Sequence, residues 1–151
     1  MYYIIDKSAL LEKVKEEVSK VADDAYTDDG VSLYDAIIIT EKDVEQVNRY
    51  LDDAIDLLVR RAFDITKYAP LVDTETHAVT PRLLFYVPDF DTTMEDSVKD
   101  ELDKYLTLSA CIALFQSRRA AVLPEFQTRA QAAMDNVVVL LKSRKSPTDI
   151  W

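Results

Sequence analysis

The longest run of regular patterning lies between Thr40 and Tyr68. Val44, Val47, Leu51, Ile55, Leu58, Ala62 and Ile65 follow one another at steps of three and four. That spacing places them on one face of an α-helix. Tyr50, Ala54, Leu57 and Phe63 widen the face, which predicts a helix with neighbours on two sides. Thr40 with Asp43 three residues later forms a capping-box start. A single helix of this length spans about 40 Å, and the rest of the chain is expected to be organised around it.

Other helices follow from the same periodicity. Leu11, Val14, Val18, Val21, Ala22 and Ala25 predict a first helix over Ser8–Tyr26, closed by the turn residues Thr27-Asp28-Asp29-Gly30. Met94, Val98, Leu102, Tyr105, Leu106, Ala110, Ala113 and Leu114 predict a third, from Thr92 or Thr93 to about Ser117. Pro124 suits the first turn of a fourth, where a missing N–H costs nothing. That helix carries Phe126, Ala130, Ala133, Met134, Val137, Val138 and Leu141.

Between these, Ser32–Ile39 fits a short strand at Ala36–Ile39 or a helical lead-in. From Pro70 the helical pattern stops. Arg82–Val87, bracketed by Pro81 and Pro88, reads as a strand. Leu71–Thr76 and His77–Thr80 complete a hairpin that turns near Asp73–Thr76. The expected fold is mostly α: a four-helix domain, residues 1–142, with a small β-hairpin insertion between helices 2 and 3. Residues 143–151 form a C-terminal arm, and Met1–Ile5 is an added strand or an arm on a neighbour.

Composition narrows the classes. The chain has one glycine in 151 residues, where average usage predicts about ten. Glycine-rich phosphate loops and dinucleotide folds need several, so those classes are excluded. The formal net charge of −10 argues against direct nucleic-acid binding. Residues 117–151 hold six basic and three acidic residues, which leaves 12 and 25 in residues 1–116, a balance of +3 against −13. Such asymmetry fits a solvated bundle, and it also fits head-to-tail attraction between identical copies. Cys111 is the one cysteine, so no internal disulfide is expected. The longest aliphatic run, Val137–Leu141, is far too short to cross a bilayer. The expected location is the cytoplasm or a virion.

Catalytic chemistry has little to draw on. His77 is the single histidine, which excludes a helical di-iron site built from two Glu-x-x-His pairs. Cys111 sits among apolar neighbours and reads as a small core hydrophobe. Glu12, Glu16 and Glu17 with Asp52, Asp53 and Asp56 are the residues an all-α, Mg-dependent nucleotide pyrophosphohydrolase would use, if the two helices faced each other. Arg49 and Arg60 pair at helical spacing with Glu45 and Asp56, the mark of a solvated face. Asp89, Asp91, Glu95 and Asp96 lack the glycine and spacing of a calcium loop. No catalytic, cofactor-binding or metal residue is assigned, and an acidic inhibitor or DNA mimic stays open as a further alternative.

Aromatic residues at the chain ends point to partners instead. Tyr2, Tyr3, Ile150 and Trp151 at the termini, Phe85 and Tyr86 on the excursion, and the basic pair Arg118 and Arg119 are the candidate interface residues. The layout of an N-terminal helix, the long helix through Asp43–Arg61, a hairpin excursion and two further helices resembles the small head–tail connector or adaptor proteins of tailed bacteriophages, with a second local likeness at Leu106–Arg119. The resemblance implies a non-enzymatic virion subunit, a ring of identical copies (commonly twelve), and contacts with portal or tail components. It carries over no catalytic residues. The long tail and the extended Pro70–Asp91 excursion depart from the smaller members of that family.

Overall fold

A computed structural model describes residues 1–62 and 64–142. Its element order is β1 (Tyr2–Ile4), α1 (Lys7–Asp23), the one-turn α2 (Tyr34–Ile37), α3 (Val44–Arg61), β2 (Thr66–Tyr68), β3 (Leu71–Val72), β4 (Val79–Thr80), β5 (Arg82–Phe85), α4 (Glu95–Arg118) and α5 (Leu123–Leu141). Four long helices and a small antiparallel strand set between the second and third of them match the expected class.

The helix on which the others pack is α4, rather than the Thr40–Tyr68 segment. It touches α1, α3 and α5. Val98, Leu102, Tyr105, Leu106, Leu108, Cys111, Leu114 and Phe115 are all buried along it. Those positions cover more than one face, as a central helix requires. α5 lies along α4 through the small residues Ala130 and Ala133, and Phe126 meets Phe115 edge-to-face at 4.9 Å between ring centres.

The predicted long helix is shorter than its periodicity implied. It ends at Arg61, about 27 Å from its start, and Thr66–Tyr68 continues as a strand. Ile65 keeps the helical spacing by coincidence; β-branched Ile65 and Thr66 suit the sheet equally well. Phe63 lies outside the described residues. The Thr40–Asp43 cap forms as expected, with Thr40 N–H donating to Asp43 Oδ2 at 2.9 Å. α1 starts one residue early, where the Asp6 carboxylate accepts from Ala9 N–H at 3.1 Å. Its buried stripe runs through Leu10, Val14, Val18 and Ala22. Ala36–Ile39 is not a strand: Tyr34–Ile37 forms the single turn of α2, which buries Ile37. Asp91 caps the 3₁₀ turn Thr92–Met94 that leads into α4, accepting from Thr93 N–H at 3.0 Å.

Arg118, expected on a partner surface, is committed to its own chain. Its Nη1 donates to the carbonyls of Ile37 (3.2 Å) and Ile38 (2.8 Å), and its Nη2 to Asp43 Oδ1 at 2.7 Å. One guanidinium thus satisfies the carbonyls that end α2 and ties the cap of α3 to the last turn of α4. The Thr40 backbone N–H first, and Arg118 second, hold the Asp43 carboxyl below the usual carboxylate range. A carboxyl lowered in the fold stabilises it above the unfolded pKa, and that stabilisation is lost as pH falls through the folded value. Arg118→Met should therefore cost on the order of 3 kcal/mol in urea unfolding. In Asp43→Asn, stability should fall less steeply below about pH 4 than in the native chain.

Candidate interaction surface

Three short strands make a sheet in the order β1-β5-β2, antiparallel throughout. Tyr3 lies opposite Leu83, and Thr66 opposite Phe85. Because side chains alternate along a strand, these four share the inner face, and all four are buried. Tyr3 and Phe85 were candidate interface residues; the pleat instead puts both in the chain's own core. The Tyr3 hydroxyl donates to Asp103 of α4, whose other oxygen accepts from Lys13 of α1 at 2.8 Å. Burial and the Asp103 carboxylate push the Tyr3 phenol above its ordinary pKa. The chain start is held equally firmly, with the Met1 ammonium donating to the Phe85 carbonyl at 2.9 Å and Phe85 N–H to the Met1 carbonyl at 2.8 Å.

The outward face carries the alternate residues Tyr2, Ile4, Leu84 and Tyr86, with Lys67 and Arg82 among them. Tyr2 is 47% exposed, Ile4 59% and Tyr86 71%. The Arg82 guanidinium lies 4.0 Å above the Tyr2 ring, and its Nε donates to the Ala69 carbonyl at 2.6 Å. Tyr2, Ile4, Lys67 and Tyr86 are exposed on this face, and Leu84 and Arg82 are half-buried. Tyr2 and Tyr86, two of the candidate interface residues, are thus exposed on this face.

The predicted hairpin is longer than a hairpin on β3 and β4 alone. Thr66 lies opposite Phe85, Tyr68 opposite Leu83, Leu71 opposite Thr80 and Val72 opposite Val79. The register is continuous, so β2–β3 and β4–β5 are two legs of one ribbon, with Pro70 opposite Pro81. Ladder bonds from Tyr86 N–H to the Ile65 carbonyl, Ala69 N–H to Arg82 and Asp73 N–H to Ala78 fall on alternate pairs. The proline pair therefore sits at a non-hydrogen-bonded position, where neither ring removes a bond between the legs. Asp73 Oδ1 accepts from Glu75 and Thr76 N–H and shapes the turn, and His77 adopts φ +59. His77 is exposed in that turn, the setting of a turn residue.

Residues 70–79 are exposed without interruption. The core-side row of the ribbon continues beyond the core: after Phe85 and Leu83 come Tyr68, the proline pair, then Val72 and Val79. Val72 is 51% exposed and Val79 60%. Tyr68 marks the margin, its hydroxyl donating to Asp56 of α3; burial and that carboxylate push its phenol up to about 12. A groove of about 750 Å³ opens there, between Tyr68 and Pro81 of the arm, Ile55 of α3 and Ser8 of α1.

The carboxylates weighed as a magnesium site do not converge. Glu12 and Glu16 pair with Lys15 and Lys20 on their own helix, Asp52 with Lys7, and Asp56 accepts from Tyr68. Glu17 accepts from both Arg129 nitrogens at 2.9 and 3.1 Å, which joins α1 to α5 and raises the Arg129 pKa. Among the described residues no group of three or more His, Cys, Asp or Glu could hold a metal. A second groove, about 570 Å³, runs between α1, α4 and α5, and Lys13, Glu17, Asp103 and Arg129 line it. Cys111 is fully buried, and burial first, with Glu17 second, pushes its thiol up to about 12. Arg119 ends α4, half-buried, beside Val122 and Glu125 in a third groove. Ile150, Trp151 and the rest of the expected tail lie outside the described residues.

No protein-family model, no curated protein and no solved structure matches this chain.

Two buried hydroxyls, Thr66 Oγ1 and Thr107 Oγ1, have no partner among the described residues. Thr107→Val should raise the unfolding free energy by about 1 kcal/mol, because it replaces an unpaired buried hydroxyl with a methyl of the same shape. Cys111 should resist a thiol reagent in the folded protein and react stoichiometrically in denaturant; rapid reaction under native conditions would contradict its burial.

Proposed function

We propose that this chain is a self-assembling structural subunit, of the kind represented by the head–tail connectors of tailed bacteriophages. Copies cover one another's apolar surface, and the assembled body meets larger virion components such as a portal or a tail. One observation carries this reading: the outward sheet face and the ten-residue arm leave Tyr2, Ile4, Tyr86, Leu71, Val72 and Val79 about half exposed or more, all on one connected β element. Scattered apolar residues on a surface need no explanation, but two exposed apolar rows on opposite faces of one β element mark places for partners. An arm of ten exposed residues also has no packing role within its own subunit, so its order and its apolar row are accounted for by contact outside it.

The likeness to connectors is one of layout, and the arm sits where that layout has its excursion. The competing nucleotide-hydrolase reading draws no support from the carboxylates: Glu12, Glu16, Glu17 and Asp52 are in ion pairs, Asp56 accepts from Tyr68, and no cluster of three that could hold a metal is found among the described residues.

Sedimentation velocity over a wide concentration range tests the proposal. The expected result is a discrete species several times the 17.2 kDa of one chain. A particle of monomer mass at the highest concentration would overturn it.

A further inference from the structure

We infer that the core-side row of one copy's arm seats on the outward sheet face of a second copy, head to tail. This rests on the self-assembly reading above and names its contact. The two surfaces lie on opposite faces of the same β element: Val72 and Val79 on the core side of the arm, Tyr2, Ile4 and Tyr86 on the outward side of the sheet. The ribbon is hydrogen-bonded through Ala69–Arg82 and on to Asp73–Ala78, so the arm is an extension of the very sheet it would have to cover. It cannot fold back on that face. Only another copy can bring the two together.

Charge gives the second argument. The tip of the arm carries Glu75 beside Asp73, whose carboxylate is turned into the loop by Glu75 and Thr76 N–H; the outward face carries Lys67 and Arg82. None of the four takes part in an ion pair among the described residues. An arm laid across a neighbour's face brings acidic tip to basic ground, whereas arm against arm in parallel brings like charges together. The open edge of the ribbon is a poorer contact. Alternation of the ladder points the Pro70 position outward, where a neighbouring strand would need an N–H that proline lacks. Each copy then offers one arm and accepts one, a heterologous contact that closes into rings or runs on as filaments.

Two variants of the full chain test this by mixing. Val72→Lys with Val79→Glu removes the apolar row and keeps an attractive cross-strand pair. Ile4→Ser with Tyr86→Ser removes the receiving face. Each variant alone should sediment as a monomer, while the equimolar mixture should give a dimer, one intact arm on one intact face, and nothing larger. Either variant assembling as the native chain does overturns the contact and leaves the self-assembly reading standing. An arm variant that is monomeric and not rescued by the face variant also overturns it, in favour of arm against arm. A native chain that is itself monomeric removes the self-assembly reading and this contact with it. Circular dichroism and melting curves matching the native chain show that the variants fold. If they do not, the exposed pair Glu75→Lys and Lys67→Glu serves instead: each should weaken association by roughly tenfold alone, and the mixture should recover it. No recovery overturns the contact.

Discussion

A two-stranded ribbon has two faces, and helices can cover only as much of it as they are long enough to reach. In this chain Tyr3, Leu83, Phe85 and Thr66 fill the covered part, locked by the hydrogen bond from Tyr3 to Asp103. Past Tyr68 the helices stop and the ribbon does not. The ladder keeps its register through Pro70 and Pro81, so side chains of core type arrive at positions where there is no core. Pleat alternation does the rest, placing Tyr2, Ile4 and Tyr86 on the side that α3 and α4 never meet. The exposed apolar rows descend from that mismatch in length.

The helical body supplies a rigid base for the arm. α4 is buried on several sides, α5 is held to it by small residues and an aromatic pair, and the Arg129–Glu17 fork closes α1 against α5. Arg118 deals with the least regular part of the chain. The stretch from Leu33 to Asp43 has only one turn of α-helix and one 3₁₀ turn, and that guanidinium meets the carbonyls of Ile37 and Ile38 and fastens the Asp43 cap. Charge that reads as an interface in the sequence is therefore consumed inside the subunit. The arm tip and the sheet face keep charges of opposite sign outside, Asp73 and Glu75 on one and Lys67 and Arg82 on the other.

Much of the helical architecture was legible because burial of one stripe dictates a three-and-four spacing, and α1 and α5 obey it. The centre of the fold was not. α4 lacks a clean stripe because it is covered on several sides, so periodicity pointed instead to α3, whose amphipathic pattern is clearer just because it lies at the surface. Ile65 extended that pattern past the true end of α3, since periodicity cannot see the tertiary pairing that draws Thr66–Tyr68 into the sheet. The hairpin was legible from its prolines and turn residues. Its partners were not, because pairing of β1 with β5 joins residues about 80 positions apart. Among candidate site residues, aromatic character alone could not separate Tyr2 from Tyr3 or Tyr86 from Phe85. A one-residue shift in the pleat decides which of each pair faces outward, and only the register reveals it.

The central claim is that the arm's core-side row is covered by another copy in solution. Labelling of a Val79→Cys variant by a thiol reagent reads this directly, with native Cys111 silent because it is buried. The account predicts that the introduced thiol labels rapidly in dilute solution and many-fold more slowly at concentrations where the chain assembles. A labelling rate that stays the same while the particle grows would contradict it.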